Sequence, residues 1–270
     1  MEMSVIFSTY NSEEWLEKVI IGFSVQTFRN FEIIIADDGS RETTKQLIDK
    51  LKTEIDIPII HVWQEDNGFQ KSQILNKAIL ASTSDYLIFT DGDCIPRQDF
   101  VEVHNNFREK GYFLSGGYFK LPMDISKAIT KEDIVYQRCF DINWLKQNGL
   151  PSSYKNIKFT SKGFMSKLLN FLTPTNASWN GHNSSGWKKD LIAINGFNQE
   201  MQYGGQDREL GERLFNLGLK SKQIRYSAIC VHLDHKRGYV NEETWKKNHA
   251  IRKNTRDNKV VKTPIGIDSN

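Results

Sequence analysis

The stretch Tyr86-Leu87-Ile88-Phe89-Thr90-Asp91-Gly92-Asp93-Cys94-Ile95-Pro96 decides how this 270-residue chain is read. Tyr86 to Phe89 is an apolar, β-prone run, the pattern of a buried strand. It stops at two carboxylates separated by a glycine. In an open α/β sheet, the carboxyl ends of the strands are where ligands bind. Two acids there repel each other unless a cation sits between or beside them. The functional reading is a divalent-metal site that presents a phosphorylated ligand. The alternative is an ordinary Asp-Gly turn.

Upstream, the same pattern repeats. Ser4 to Tyr10 reads as a strand. Asn11 or Ser12 then caps a helix running to about Val25, with Glu14 placed to complete a capping box with Asn11. Phe31 to Ala36 is a second strand and also ends in acids, Asp37-Asp38-Gly39-Ser40. A helix from Thr43 to about Lys52, a strand from Ile57 to Trp63 and a helix from Ser72 to Ala81 complete the series. Such alternation predicts a Rossmann-like α/β fold, a mostly parallel sheet with helices on both faces. Parallel topology brings Ser8-Thr9-Tyr10, Asp37-Asp38 and Asp91-Asp93 to one edge, which describes a ligand crevice. No Gly-x-Gly-x-x-Gly follows the first strand and no Walker lysine loop is present, which argues against dinucleotide and P-loop chemistry.

Downstream, a helix from about Gln98 to Glu109 and a strand near Tyr112 to Phe119 are expected, then a helix from Ile134 to Leu145. Tyr154 to Leu172 mixes Lys with Ile, Phe, Met and Leu. It reads as an amphipathic helix on a membrane surface or as a mobile lid. Asn176 to Trp187 is a polar loop in which Trp179 and Trp187 suit sugar recognition, against the alternative of core tryptophans. A short element begins at Asp190, and Asn195-Gly196-Phe197-Asn198 turns. In Tyr203-Gly204-Gly205-Gln206-Asp207, a double glycine lets another molecule come close. It leads to a helix carrying Leu210, Leu214 and Leu217, stopped by Gly218. Asp207 in the first turn is kept ionised by the helix dipole. Ser227 to Val231 is a strand that ends in His232-Leu233-Asp234-His235, and imidazole suits a Mn²⁺-type ion. The basic tail after Trp245 reads as a helix that frays into disorder.

A net charge of +3 conceals an asymmetry. Residues 1–141 carry 15 Lys/Arg and 23 Asp/Glu, residues 142–189 carry seven Lys and no acid, and residues 190–270 carry 14 basic and 10 acidic residues. The acid-free middle fits an anionic partner or a solvated lysine-rich loop. Cys94, Cys139 and Cys230 form no Cys-x-x-Cys pair, which fits reduced thiols in a cytosol. No apolar run is long enough to span a bilayer, and the N-terminus lacks a basic-then-apolar secretion pattern. The expected location is cytoplasmic, peripheral at the inner face of the membrane.

Three stretches together resemble family-2 glycosyltransferases of the GT-A fold. The first is Ile6-Phe7-Ser8-Thr9-Tyr10-Asn11 with Gln26-Thr27-Phe28 and Asp37-Asp38-Gly39-Ser40. The second runs from Asn67-Gly68 through Asn76 to Asp91-Gly92-Asp93. The third, Asn195-Gly196-Phe197 through Asp207, is similar to the C-terminal segment of β-1,4-galactosyltransferases and chondroitin-polymerase-like enzymes. The resemblance covers about residues 4–118 and 176–237. It implies a nucleotide-sugar-binding half over 1–118, a variable insertion or lid over 119–175, an acceptor-binding and catalytic half over 176–237, and a basic tail over 238–270.

The resemblance also implies roles for matching positions. Ser8, Thr9, Tyr10, Asp38, Gly68, Lys71, Asp91 and Gly92 would bind the donor, with Asp38 on the uracil N–H and Asp91 near the ribose. Asp93 would coordinate Mn²⁺ or Mg²⁺ bridging the diphosphate. The further metal ligand is His235 on the galactosyltransferase pattern, or His232 on that of polypeptide N-acetylgalactosaminyltransferases. Asp207 would be the base, with Trp179, Trp187, Tyr203, Gly204, Gly205 and Gln206 on the acceptor side. The family often has Glu where this chain has Gln206 and Trp where it has Tyr203, so acceptor identity does not carry over. The expected activity is inverting, metal-dependent transfer from a UDP-sugar, with galactose or its N-acetylamino analogue as the sugar. The acceptor would be a surface polysaccharide or a lipid-linked oligosaccharide. The rivals are a sugar-nucleotide nucleotidyltransferase and a non-catalytic saccharide-binding protein. Nucleic acid is excluded, because stacking aromatics do not recur among the lysines.

Overall fold

The computed structural model describes residues 1–235 and 242–269. Its strands are β1 (Met3–Thr9), β2 (Phe31–Asp37), β3 (Ile59–Trp63), β4 (Tyr86–Asp91), β5 (Cys94–Pro96), β6 (Tyr112–Ser115), β7 (Gly117–Lys120), β8 (Ser184–Trp187), β9 (Lys220–Gln223) and β10 (Ile229–His232). Seven form one sheet in the order β3-β2-β1-β4-β8-β6-β9. β1 to β4 are mutually parallel, and β8 runs antiparallel between β4 and β6. A second sheet has the order β5-β10-β7. The expected α/β architecture is what forms.

The central strands are buried on both faces because helices cover both faces. β2 is buried at every position and β1 at all but one, which is why they read as continuous apolar runs. On one face the helix Glu13–Ser24 buries Trp15, Leu16, Val19, Ile20 and Phe23. Each such side chain contributes about 1.5–3 kcal/mol relative to exposure. On the other face the helix Lys71–Ala81 packs with Ile6, Ile34, Leu87 and Phe89. Glu32 in β2 is buried but accepts from Ser4 Oγ (2.6 Å) and from Thr83 N–H (2.8 Å) and Oγ (2.9 Å). A buried carboxylate is tolerable on those terms.

Several local expectations change. Ser12, not Asn11, precedes the first helix, and it makes no side-chain cap bond. Asn11 sits at φ 47° and accepts from Arg41 N–H at 3.0 Å, so it ties two loops together instead of capping. The expected strand Tyr112 to Phe119 is two strands in different sheets, broken at Gly116, where a Cβ would lie 2.2 Å from the Asn183 side chain. Ile134 to Leu145 divides between the helices Lys131–Val135 and Ile142–Gln147. The end of the polar loop is β8, whose Ser184 and Ser185 are buried. Ser185 Oγ meets Tyr86 Oη at 2.8 Å and His104 Nδ1 at 2.7 Å. The tail does not fray. The helix Glu242–Asp257 packs on Gln206–Asn216, with Arg252 on Glu212 at 2.6 Å, and Ile267 returns to the core. Residues 236–241, at the junction expected between the catalytic half and the tail, lie outside the described residues.

Candidate active site

The cleft opens at the carboxyl ends of β1, β2 and β4. Strand order places β2 and β4 on opposite sides of β1, so the chain reverses its winding there. Such a switch point is a natural ligand crevice. The register sets Ser8 beside Asp91 and Thr9 beside Asp37. The resulting cavity of about 590 Å³ is lined by Ser8, Thr9, Tyr10, Asp38, Gly68, Lys71, Asp91, Gly92 and Asp93 on the sheet side. Tyr203, Gln206, Asp207, His232 and His235 line it from the C-terminal half. Residues far apart in sequence are thereby gathered around one space. Gly92 is required where it stands, since a Cβ would lie 2.6 Å from Ser8 O.

Asp38 is buried and accepts from Gln70 N–H at 2.9 Å and Gln64 Nε2 at 2.7 Å. Burial pushes its carboxyl up to about 6 against those two donors. Tyr10 donates to Asp66 at 2.8 Å on the exposed rim. Asp37, its carboxylate taken by Ser40 N–H and His61, is structural. Lys71 Nζ donates to Asp91 at 2.7 Å. Burial opposes the ammonium, but Asp91 and then Asp207 overcome it and hold it charged. Burial opposes the Asp91 carboxylate likewise, and Lys71 holds it below the usual range.

The small second sheet supplies the histidines. β10 pairs antiparallel with β5, setting His232 opposite Cys94, and Leu233 N–H donates to Asp93 O at 2.9 Å. His235 Nε2 then lies 3.0 Å, and His232 Nε2 3.6 Å, from the same Asp93 oxygen. The two rings stack with centroids 5.5 Å apart. His232 Nδ1 is buried without a partner among the described residues. Asp93, His232 and Cys94 offer ligand atoms within 4.8 Å of one another, and His235 meets the same Asp93 oxygen; one carboxylate with imidazoles beside it fits a Mn²⁺-type cation. The neighbouring Cys94 thiol is pushed up, first by burial and then by Cys230, and stays neutral.

Asp207 opens the helix Gln206–Asn216 on the opposite wall. Gly181 N–H donates to its carboxylate, while its Oδ1 is buried with no partner among the described residues. Burial pushes this carboxyl up to about 6, against the pull of Lys71. The helix dipole therefore does not dominate here, and burial wins. Glu209, two residues on, is clasped by Arg213 at 2.8 Å and by Thr255 at 2.9 Å. Arg213 also holds Ile194 O and Gly196 O.

Four acceptor-side expectations need correction. Trp179 is fully buried, edge-on to Phe89 and tilted against Phe113. It packs against Gly211 and so seats the Asp207 helix, where a Cβ would come within 2.8 Å of Trp179 Cβ. Trp187 meets Tyr86 edge-on and donates to Glu109 O, outside the cleft lining. The space above Gly204 and Gly205 is filled by Trp245 and Arg252 of the chain's own helix. Their φ of 107° and 87° show that the glycines serve the backbone turn. Gln206, unlike these four, stays in the cleft lining while it braces the same turn, accepting from Gly204 N–H at 2.9 Å.

His182 joins the site without a sequence signal. Burial pushes it down to about 4 although Asp91 pulls the other way, and its ring lies edge-on to Tyr118 at 4.4 Å. A lone histidine beside Asn183 in a polar loop has no periodicity to mark it.

The architecture is that of GT-A glycosyltransferases, shared with two solved structures of low sequence identity. TarS of S. aureus, solved in complex with UDP-GlcNAc, aligns over 99% of this chain and 69% of its own, with TM-score 0.65 and 16% identity. The mannosyltransferase PcManGT of Pyrobaculum calidifontis, in complex with GDP-Man and Mn²⁺, aligns over 88% and 58%, with TM-score 0.59 and 18% identity. The chain belongs to glycosyl transferase family 2, which matches residues 4–166. The N-terminal domain of galactosyltransferase matches residues 173–236. An uncharacterized glycosyltransferase of Bacillus subtilis, YfnE, is 25% identical over 268 residues, 87% of this chain and 65% of that protein. The chondroitin synthase of Pasteurella multocida is 27% identical over 231 residues, 80% of this chain. The chain spans just under two thirds of the Bacillus protein and 23% of the chondroitin synthase.

Proposed function

We propose that the chain is an inverting, metal-dependent glycosyltransferase. It would move galactose or N-acetylgalactosamine from a UDP-sugar to a saccharide acceptor, in surface polysaccharide or lipid-linked oligosaccharide synthesis. One observation carries the reading: the Asp93–His232–His235 cluster and Asp207, whose Oδ1 has no partner among the described residues, line the same cleft. The family match, a neighbour solved with a UDP-sugar and relatives named chondroitin synthase support it. The reading takes residues 1–118 as the donor half, 176–237 as the catalytic half and 119–175 as the insertion between them. It includes peripheral contact with the inner face of a membrane, where a lipid-linked acceptor is presented.

Asp93, His232 and His235 would hold Mn²⁺ or Mg²⁺, which when bound neutralises charge on the departing diphosphate. Ser8, Thr9, Tyr10 and Asp38 take the nucleoside, with Asp38 accepting from the base N–H. Gly68, Lys71, Asp91 and Gly92 follow toward the ribose and phosphates, where the Lys71 ammonium faces negative charge. Asp207 accepts the proton of the acceptor hydroxyl at Oδ1. The hydroxyl oxygen bonds to the anomeric carbon while the bond to the diphosphate oxygen on the opposite face breaks, inverting the centre. Tyr203 and Gln206 remain on the acceptor side, and Trp179 and Trp187 do not.

The test is UDP release across a panel of UDP-sugars with Mn²⁺ or EDTA, with the anomer of the product read by NMR. A β-linked product from an α-linked donor, formed with metal only, is expected. A retained anomer or full turnover in EDTA would overturn the reading.

A further inference from the structure

The helix Gly163–Leu172 is packed inside out. Its protein-facing positions are Ser166 and Asn170, both buried. Asn170 Nδ2 donates to Ser227 Oγ at 2.8 Å, Tyr226 N–H donates to Asn170 Oδ1 at 2.8 Å, and Ser227 Oγ lies 3.3 Å from Ser166 Oγ. Its apolar residues point the other way. Phe164 and Phe171 are 79% and 85% exposed, with Met165, Leu168 and Leu172 beside them. At about 100° per residue these five occupy one arc of roughly 120°, centred opposite the docked positions. A globular helix ordinarily buries that stripe. A run of exposed phenylalanines on one face marks a surface that meets something apolar.

The charge beside it selects the partner. Lys155, Lys162 and Lys167 are exposed, and residues 142–189 hold seven lysines and no acid. A second copy of the chain would set these lysines against their own images. An anionic, apolar surface complements both features. Interfacial helices of this kind lie in the plane of the bilayer with Phe and Leu inserted and Lys at the headgroups. Among the described residues no helix is long and apolar enough to cross a membrane.

We propose that Gly163–Leu172 is an in-plane anchor to an anionic lipid surface. Phe164, Leu168, Phe171 and Leu172 enter the headgroup boundary, and Lys162 and Lys167 contact acidic headgroups. This assigns a surface to the peripheral contact read above and rests on that part of the reading, not on the sugar-transfer chemistry.

Co-sedimentation with phosphatidylcholine vesicles, with and without phosphatidylserine, tests it without donor or acceptor present. The chain should favour the anionic vesicles by at least about tenfold, since each nearby lysine contributes about fivefold. Phe164→Ser with Phe171→Ser should lower binding at least about tenfold, and Lys162→Glu with Lys167→Glu should abolish the anionic preference. An unchanged far-UV circular dichroism spectrum and a cooperative thermal unfolding transition confirm that each variant is folded. Wild-type chain that ignores vesicles would overturn both the anchor and the peripheral contact. Wild-type binding that survives the serine pair would overturn the anchor alone. A dimer dissolved by Phe171→Ser would give the face to a second copy and overturn the proposal.

Discussion

On one wall of the cleft, Asp91 accepts from Lys71 at 2.7 Å and Asp93 lies 3.0 Å from His235. On the other, Asp207 keeps one buried oxygen without a partner among the described residues, and burial lifts it to about 6. On the first wall Lys71 compensates Asp91 in advance, which suits the diphosphate proposed to bind there. The second compensates its charge only in part, through Gly181 N–H and the pull of Lys71, and burial prevails; a carboxylate so placed is basic enough to take a proton near neutrality. Glu209 shares a helix with Asp207 and is buried too, yet Arg213 and Thr255 satisfy it. Burial alone therefore does not make a base. The role proposed for Asp207 needs burial with an oxygen left over, which its Oδ1 provides among the described residues.

The strongest way to break this contrast is Asp207→Asn, nearly isosteric and unable to accept the proton. kcat should fall by about 10²–10⁴-fold with donor affinity kept. Retention of more than a tenth of wild-type kcat would remove Asp207 from the role. On the other wall, Asp93→Ala should weaken UDP in Mn²⁺ by at least ~10–100-fold while barely affecting uridine; calorimetry of both ligands decides it.

The pH profile is a gentler probe. The active form of Asp207 is the carboxylate, so kcat at saturating donor and metal should rise with pH through about 6 and level off above it. Below that the slope should approach about tenfold per unit. A kcat independent of pH across this region would contradict the unpartnered-base account. Glu209→Gln should change kcat least. It leaves Arg213 buried with its charge uncompensated, so stability should drop by ~3–5 kcal/mol, read as a lower Tm. A kcat collapse in folded Glu209→Gln would blur the distinction between the two acids.

The sheet edge proposed to take the donor is legible in the sequence because a buried apolar strand that ends in paired acids strands their charge at that edge unless a ligand or cation meets it there. Asp37-Asp38 and Asp91-Asp93 both follow such runs and meet at one edge. β8 is not legible, since Ser184-Ser185-Gly186-Trp187 lacks apolar alternation. Its burial is supported by hydrogen bonds to Tyr86 and His104, which come from another strand and a helix. Trp179 misleads for a related reason. Its polar sequence neighbours suggest a loop, but it packs against Phe89, Phe113 and Gly211, distant in sequence. The double glycine points to an open approach and instead receives Trp245 and Arg252. In each case the deciding partner is nonlocal. The amphipathic character of Tyr154 to Leu172 is visible in its residues, but only the fold shows that Ser166 and Asn170 face inward.

In the proposed reaction, leaving-group charge and acceptor proton are handled by separate walls. Titration of UDP into the wild type, Asp93→Ala and Asp207→Asn, each in Mn²⁺ and in EDTA, tests it most directly. Wild type and Asp207→Asn should bind alike and lose affinity alike in EDTA, while Asp93→Ala should be weak in both. Equal wild-type affinity in Mn²⁺ and EDTA, or a metal response lost in Asp207→Asn, would contradict it.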